Sequence, residues 1–444
     1  ILVMAGRIQL ETSGPQDAFF TDDPEYTYFV KNFEKHANYA PFMTDLDVHG
    51  DLEFGNTLRC TIPQNQGDLI KTISFKISLD AIDQTIKSAL HTNTTSVNWN
   101  ESIGHAMIEH VELLIGGKVI QRLTSDFLAI YFDNYVTQTK QHCLAKLVGK
   151  PPEELSGTSA ISTSIGGYLS SSAQNLFVDV PFYFYNNPEL AIPICAIDKQ
   201  EVEVVVKLRD IDECIHSIRS DSPYNGYILY TGLKPKNLIK SFKVTTEMVS
   251  LTDKEKKYIK TTPKDYTITQ IQESRSQIEQ SSDLNPVVIK HKLRFVNPVK
   301  ELFFIIKGTR KTVDGFYNAT FDYDNSYRDI DSVYINYENL KKLELQLDDS
   351  YPIEGASGEC INLRAVQSGI HHSRTQLFRR YYSYSFALEP ERWYPTGQVN
   401  FSLIKDQDLK LTLNAEDECK RELRVLAHSY NILRIENGTA ITLF

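Results

Sequence analysis

Three short stretches carry residue types able to do chemistry. Gly116-Gly117-Lys118 sets a lysine beside two glycines, the ingredients of a phosphate loop. The spacing is wrong, because such a cradle needs G-x-x-x-x-G-K-[ST] and Val119 follows this lysine. Gly-Gly supplies positive φ, so the stretch reads as the turn of a hairpin joining Val111–Ile115 to Lys118–Ile120. His371-His372 offers two imidazoles. Adjacent residues of a strand point to opposite faces, and a metal needs several convergent ligands, so a structural or loop role is expected. Asp322-Tyr323-Asp324-Asn325-Ser326 has the acidic spacing of a calcium loop, but Tyr327 stands where the glycine belongs and Val333 where the bidentate glutamate belongs. With Asp329 and Asp331 nearby, this is a solvated acidic loop, open to opportunistic cation binding.

No G-x-S-x-G, H-E-x-x-H or G-x-G-x-x-G occurs. A Ser–His–Asp set follows no fixed order and could still assemble in space, but nothing points to one. No catalytic, cofactor or metal residue is therefore assigned. The cysteines, Cys60, Cys143, Cys195, Cys214, Cys360 and Cys419, are widely spaced and form no C-x-x-C pair. They read as buried free thiols of a reducing compartment. Sequons begin at Asn93, Asn100, Asn318, Asn400 and Asn437. Asn400 and Asn437 fall on or beside strand patterns. Asn93, Asn100 and Asn318 lie in loop-like surroundings and are the candidate glycosylation sites, with chance occurrence the simpler reading.

The bulk numbers bound the class of protein. A chain of 444 residues with 41% hydrophobic and 23% charged residues suits two globular domains. Its net charge of -10 argues against a general nucleic-acid coat, which needs cations to displace counterions. No run approaches the ~18 apolar residues of a membrane span. No basic n-region precedes a long apolar core, so synthesis in the cytosol is expected. Ile1-Leu2-Val3 precede Met4, so either Met4 is the natural start or the numbering begins inside a longer chain.

The dominant pattern is short alternating runs between polar turns, the mark of an all-β sandwich or barrel. In 201–209, Val202, Val204, Val206 and Leu208 share one face, and Glu201, Glu203, Lys207 and Arg209 the other. A helix is expected at about 125–140, capped by Thr124, Ser125 or Asp126, with Phe127, Ile130, Tyr131, Asn134 and Tyr135 at helical spacing. Residues 150–175, rich in Pro, Ser, Thr and Gly, read as a long surface loop. Further strands are expected at 241–251, 266–278, 287–295, 299–307, 343–347, 409–413 and 423–435, with a short helix at 252–260.

A faint duplication is visible. Val111–Ile115 resembles Leu343–Leu347, and Ile197–Val204 resembles Ile404–Leu411, in the same order. The expected organisation is an extended N-terminal arm over 1–25, a first domain over 26–215, a linker over 216–240 and a second domain over 241–444.

Several stretches resemble the capsid proteins of nucleocytoplasmic large DNA viruses. They run in the family's order from Gly14-Pro15-Gln16-Asp17, Pro24–Phe29 and His36–Ala40, through Val111–Ile120, Arg122 and Phe127-Leu128. They continue with Pro181–Phe184, Asn187-Pro188 and Leu190–Pro193, then His371–Arg374, Tyr384–Pro390, Pro395-Thr396-Gly397, Asn400–Ser402 and Tyr430–Ile435. Glu391-Arg392-Trp393-Tyr394 departs from the usual residues before the Pro-x-Gly turn, and 310–335 has no match. The resemblance implies two tandem eight-stranded antiparallel jelly-roll sandwiches with short helices in the connections. It also implies a homotrimer with a six-fold-like outline that tiles an icosahedral shell in the virion. Neighbouring capsomers, and minor capsid proteins reached by the N-terminal arm, are the implied partners. Direct nucleic-acid binding is not expected, and an inner membrane would be touched only indirectly. A minor capsid or scaffold protein of the same fold is the nearest alternative. A carbohydrate-binding jelly roll or a glycoside hydrolase with paired carboxylates is the alternative of another class.

Overall fold

The computed structural model describes residues 14–30, 35–82, 94–100, 102–149, 172–219, 227–229, 238–278, 286–312, 315–317, 321, 325–328, 334–374, 381–414 and 419–444. Residues 1–38 and 39–444 are separate units. In the first, helix α1 (Pro15–Thr21) interrupts the expected extended arm. Pro15 at the first helical position is pre-organised for it, and Gly14 N–H donates to Asp17 Oδ2 at 2.8 Å. Phe20, Tyr26, Tyr28 and Phe29 in this unit are all strongly exposed.

The second unit contains two sandwiches of eight strands each. The first sandwich comprises β1 (Tyr39–Asp47), β2 (Thr57–Ile62), β3 (Leu69–Leu79), β4 (Ile108–Ile115), β5 (Lys118–Thr124), β6 (Gln174–Asp179), β7 (Val202–Leu208) and β8 (Ile239–Leu251). Its sheets run β1-β8-β3-β6 and β2-β7-β4-β5, antiparallel throughout. The second comprises β9 (Lys264–Ile278), β10 (Val287–Lys292), β11 (Pro298–Thr312), β12 (Leu340–Leu347), β13 (Ser350–Ile353), β14 (Tyr382–Ser385), β15 (Gln407–Leu413) and β16 (Cys419–Glu436). Its sheets run β9-β16-β11, with β14 on the outer edge of β11, and β10-β15-β12-β13. The strand order repeats after eight, as two jelly rolls require.

The sequence duplication lands on this repeat. Val111–Ile115 and Leu343–Leu347 lie on β4 and β12, the fourth strand of each sandwich, and the second matched pair leads into β7 and β15. A finer mark is a shared irregularity. In β3 the register with β8 passes from Ile70↔Met248 to Thr72↔Glu247, leaving Lys71 as an extra residue. In β11 the register with β16 passes from Val299↔Ser429 to Glu301↔His428, leaving Lys300 extra at the corresponding place. A bulge kept at one position in both halves is a designed feature of the strand.

The expected linker is corrected by the pairing. The polar stretch 216–240 reads as an interdomain linker, which places strand 241–251 in the second domain. Instead β8 lies between β1 and β3, completing the first sandwich. The crossing between sandwiches is the exposed helix α4 (Asp253–Thr261). Composition misled here because a connection inside a jelly roll can be as long and as polar as one between domains. The single helix expected at 125–140 is two, α2 (Ser125–Asn134) and α3 (Gln138–Val148), α2 being capped by Thr124 Oγ1, which accepts from Phe127 N–H. Gly116 and Gly117 form the expected hairpin turn, with φ of 59° and 75°.

In each sandwich the connections from first to second strand, third to fourth, fifth to sixth and seventh to eighth lie at one end, and the sixth-to-seventh connection and the tight hairpins Gly116-Gly117 and Asp348-Asp349 at the other. The two sandwiches point the same way. At the hairpin end Lys118 Nζ donates to Thr442 Oγ1 at 3.0 Å and Ala440 N–H to Gln200 Oε1 at 2.7 Å; towards the other end Arg424 meets Asp126 at 2.6 Å. Alternating apolar residues fill both interiors, and the core of the first sandwich runs on through Phe303, Ile305 and Leu426 of the second. Burial of this kind contributes roughly 25 cal/mol per Å² of apolar surface.

Candidate functional site: the sandwich junction and the faces left open

The outward face of β9-β16-β11 is covered by the first sandwich. Strand β5 runs alongside β9, where Gln270 Nε2 donates to Ile120 O at 2.8 Å and Gln121 Nε2 to Thr269 Oγ1 at 3.4 Å. Capping by Thr124 turns the chain from β5 directly into α2, which lays Phe127 against Phe303 and His428, with ring centroids 6.4 and 5.3 Å apart. One turn further along, Tyr131 and Tyr135 stack at 4.7 Å.

Beneath these rings lies a buried polar cluster. Glu301 is fully buried. It accepts from the Tyr135 hydroxyl and from His428 Nδ1 at 2.7 Å, and His372 Nε2 stands 3.3 Å from its other oxygen. His372 also faces Glu391 at 3.5 Å. Burial opposes the charge of Glu301, but the two imidazoles outweigh it and hold the carboxyl well below its ordinary range. Burial likewise opposes a charged His372, yet its contacts with Glu301 and Glu391 raise it to about 9. His428, buried and close to the Lys300 ammonium, is pushed down to about 4. The cluster at neutral pH is thus Glu301 ionised, His372 protonated and His428 neutral, donating its Nδ1 proton to Glu301. Lys300, the bulged residue, is itself buried and donates to Pro390 O at 2.6 Å.

A second group lies towards the long loops. Asp126 and Glu422 both hold Arg424, at 2.6 and 2.8 Å, while buried Arg209 donates to Ala106 O at 3.0 Å and pairs with Glu213 at 2.8 Å. They border a polar cleft of about 240 Å³ between the sandwiches. A largely buried pair such as Arg424–Asp126 fixes geometry more than it adds stability.

The residues singled out from the sequence fare differently. His371 and His372 are not on a strand. They end the helical segment 362–371, and only His372 enters the cluster; His371 contacts Leu388 O at 3.1 Å from the exposed side. Among the described residues no three His, Cys, Asp or Glu side chains are placed to hold a metal. Asn100 is not a surface loop residue. It is 4% exposed and its Nδ2 donates to Glu213 O at 2.6 Å, which leaves no room for a glycan. Asn93, Asn318 and the acidic stretch 322–324 lie outside the described residues. Cys60, Cys195 and Cys214 are buried as expected, whereas Cys143 is exposed. Glu301 and His428 carry no sequence motif, and Tyr135 reads only as a helix residue. The signal was a Lys-Glu pair inside the apolar run 299–306, where a strand buried on both faces should carry none.

Two faces equivalent to those of the junction stay open. On the first sandwich the outward side of β1-β8-β3 shows Tyr39 and Met43 beside the polar set Asp45, Lys76 and Thr245. On the second, β13 and the segment after it expose Tyr351, Ile361, Val366 and Ile370. The molecule is thus two like bodies fixed rigidly side by side, with contact surfaces left over at both flanks.

Known proteins agree with this construction. Residues 27–228 match the family described as major capsid protein N-terminus, and residues 255–441 match the large eukaryotic DNA virus major capsid protein. The chain belongs to the major capsid protein family of large eukaryotic DNA viruses. Capsid protein 1 of Acanthamoeba polyphaga mimivirus is 29% identical over 304 residues, covering 68% of this chain and 48% of that protein. The major capsid protein of Pyramimonas orientalis virus is 26% identical over 448 residues, covering 98% of this chain and 97% of that one. The fold matches the quasi-atomic model of the PBCV-1 virus capsid with a TM-score of 0.71 and 20% identity, over 94% of this chain and all of that one. As a major capsid protein the chain is a structural component of the virion shell and not an enzyme.

Proposed function

We propose that three copies close into a ring with a six-fold-like outline, and that these rings tile the shell. The observation that carries this is the pair of sandwiches with one strand order, held side by side and pointing the same way. Three such pairs present six like bodies, and a single head-to-tail interface closes a three-fold ring. The sides of the rings then meet neighbouring rings through more polar, wetter contacts. Residues 1–38 serve as an arm reaching minor capsid proteins beneath the shell: Phe20, Tyr26, Tyr28 and Phe29 are apolar side chains without cover, suited to ordering on a partner. Synthesis and assembly take place in the host cytoplasm, consistent with cysteines that are free.

Light scattering on the purified chain tests the ring. The expected mass is three times 50.7 kDa. A species of one-chain mass at the concentrations of assembly refutes it. Deletion of residues 1–38 is expected to leave the ring intact and abolish capture of the inner-layer proteins.

A further inference from the structure

We infer that the arm recognises a cationic protein surface with apolar pockets, through the carboxylates of Asp22, Asp23 and Glu25 and the rings of Tyr26, Tyr28 and Phe29. This rests on the arm reading above and adds to it the chemistry of the partner.

Between Gly14 and Val30 the chain carries four carboxylates, Asp17, Asp22, Asp23 and Glu25, and no Lys, Arg or His. Over residues 1–38 six carboxylates stand against three cations, Arg7, Lys31 and Lys35. Asp17 is committed locally, since it accepts from Gly14 N–H at 2.8 Å. Asp22, Asp23 and Glu25 are exposed, and among the described residues none of their carboxylates makes an ion pair or a hydrogen bond. Backbone geometry keeps these charges beside the rings. Helix α1 ends at Thr21, and Asp23, at φ 51°, takes the left-handed conformation that Asp tolerates, just ahead of Pro24. The chain turns there and sets Tyr26 edge-on to Tyr28, with ring centroids 5.2 Å apart and hydroxyls 2.9 Å apart. Phe29 N–H donates to Thr27 Oγ1 at 3.4 Å within the same short stretch. Tyr28 is 86% exposed and Phe29 96%. The result is a small aromatic knuckle with three unpaired carboxylates at its root.

That combination selects among the surfaces a shell subunit can meet. Cytoplasmic lipid leaflets are anionic, and segments that lie in a bilayer interface carry Lys and Arg on their polar side. Residues 14–30 carry neither. Nucleic acid likewise needs cations on its partner to displace its counterions. A protein surface with Lys and Arg around apolar pockets accepts both halves of the knuckle. The rings fill the pockets, and the carboxylates pair with the cations at the rim. Rim charges act mainly on encounter and are screened by salt, whereas buried rings hold the complex together. The contact therefore weakens with salt without vanishing.

The test immobilises the full chain and uses as probe the proteins released from purified particles once the shell protein has been removed. Capture is measured at about 0.05 M and about 0.5 M NaCl. Asp22→Asn with Asp23→Asn and Glu25→Gln removes the charges at constant size, and Asn keeps the left-handed backbone at position 23. At the lower salt this variant is expected to capture about tenfold less than the parent, and to lose the parent's dependence on salt. Tyr28→Ser with Phe29→Ser is expected to abolish capture at both salt concentrations. All five positions are exposed in the arm, and far-UV circular dichroism with a thermal melt checks that each variant folds as the parent does. Capture that is lost on deletion of residues 1–38 but equal in the neutralised variant and the parent overturns this inference and spares the arm reading. Capture that survives the deletion overturns the arm reading itself. Sedimentation with phosphatidylserine vesicles, or retardation of duplex DNA, that the parent shows and the deletion removes overturns the choice of a cationic protein.

Discussion

Removing His372 tests how the two sandwiches are pinned. In His372→Ala the carboxylate of Glu301, fully buried, keeps His428 at 2.7 Å and the Tyr135 hydroxyl but loses the cation 3.3 Å away. Stripping one partner from a buried ion pair costs about 3–5 kcal/mol, because the remaining charge has no solvent to return to. The two surviving donors hold the expected loss at the lower end, about 3 kcal/mol. Urea denaturation of the purified chain at pH 7, followed by fluorescence, measures it; Trp99 and Trp393 report on one sandwich each. The double variant His372→Ala with Glu301→Gln removes both charges, and is expected to lose less than the sum of the two single changes by more than about 1 kcal/mol. A loss under about 1 kcal/mol for His372→Ala, or strict additivity in the cycle, refutes the assignment of a charged pair inside the junction.

The same cluster sets a pH window. His372 binds its proton more tightly folded than unfolded, at about 9 against 6.5, so its contribution is complete below 6.5 and is lost as pH rises through 9. His428 binds its proton less tightly folded, at about 4 against 6.5, so its contribution is complete above 6.5 and is lost as pH falls towards 4. The melting temperature is expected to peak near pH 6.5 and to fall on both sides, and His428→Gln to flatten the acid limb alone; an unchanged acid limb in that variant contradicts the reading. Gly358→Ala is expected to destabilise by about 2 kcal/mol or more, since a Cβ there would overlap the carbonyl oxygen of Leu343 and backbone must move. A melt within experimental scatter of the parent would show that the turn before segment 362–371 yields freely.

Most of the architecture was legible because a period of two is hard to counterfeit. Gln407–Leu413 alternates strictly in burial and Val202–Leu208 alternates in sequence except at Val205, and both are central strands with one face in a core. The duplication was visible for the same reason, in the fourth and seventh strands of each half. The boundary between sandwiches was misread because β8 looks like any other strand in isolation, and only its partners β1 and β3, some 170–200 positions upstream, reveal where it belongs. The polar cluster was illegible for a related reason. Tyr135, Glu301, His372 and His428 lie far apart in the chain, and each alone has an ordinary explanation. His371-His372 was noticed as a pair, yet a helix end gives the two rings different fates, one exposed and one enclosed.

Gathering four of the seven connections of each sandwich at one pole has a consequence for what can be varied without penalty. The stretches 80–107 and 209–238 leave and re-enter their sheets at that pole, while the flanks proposed to meet neighbours lie along the barrel walls. Lengthening or replacing such a stretch changes the relief presented at one end and leaves the lateral geometry of the lattice as it was. A foreign peptide inserted after Ile82 would be carried on each copy at that pole, whereas one placed in the two-residue turn at Gly116-Gly117 would press against Gln200.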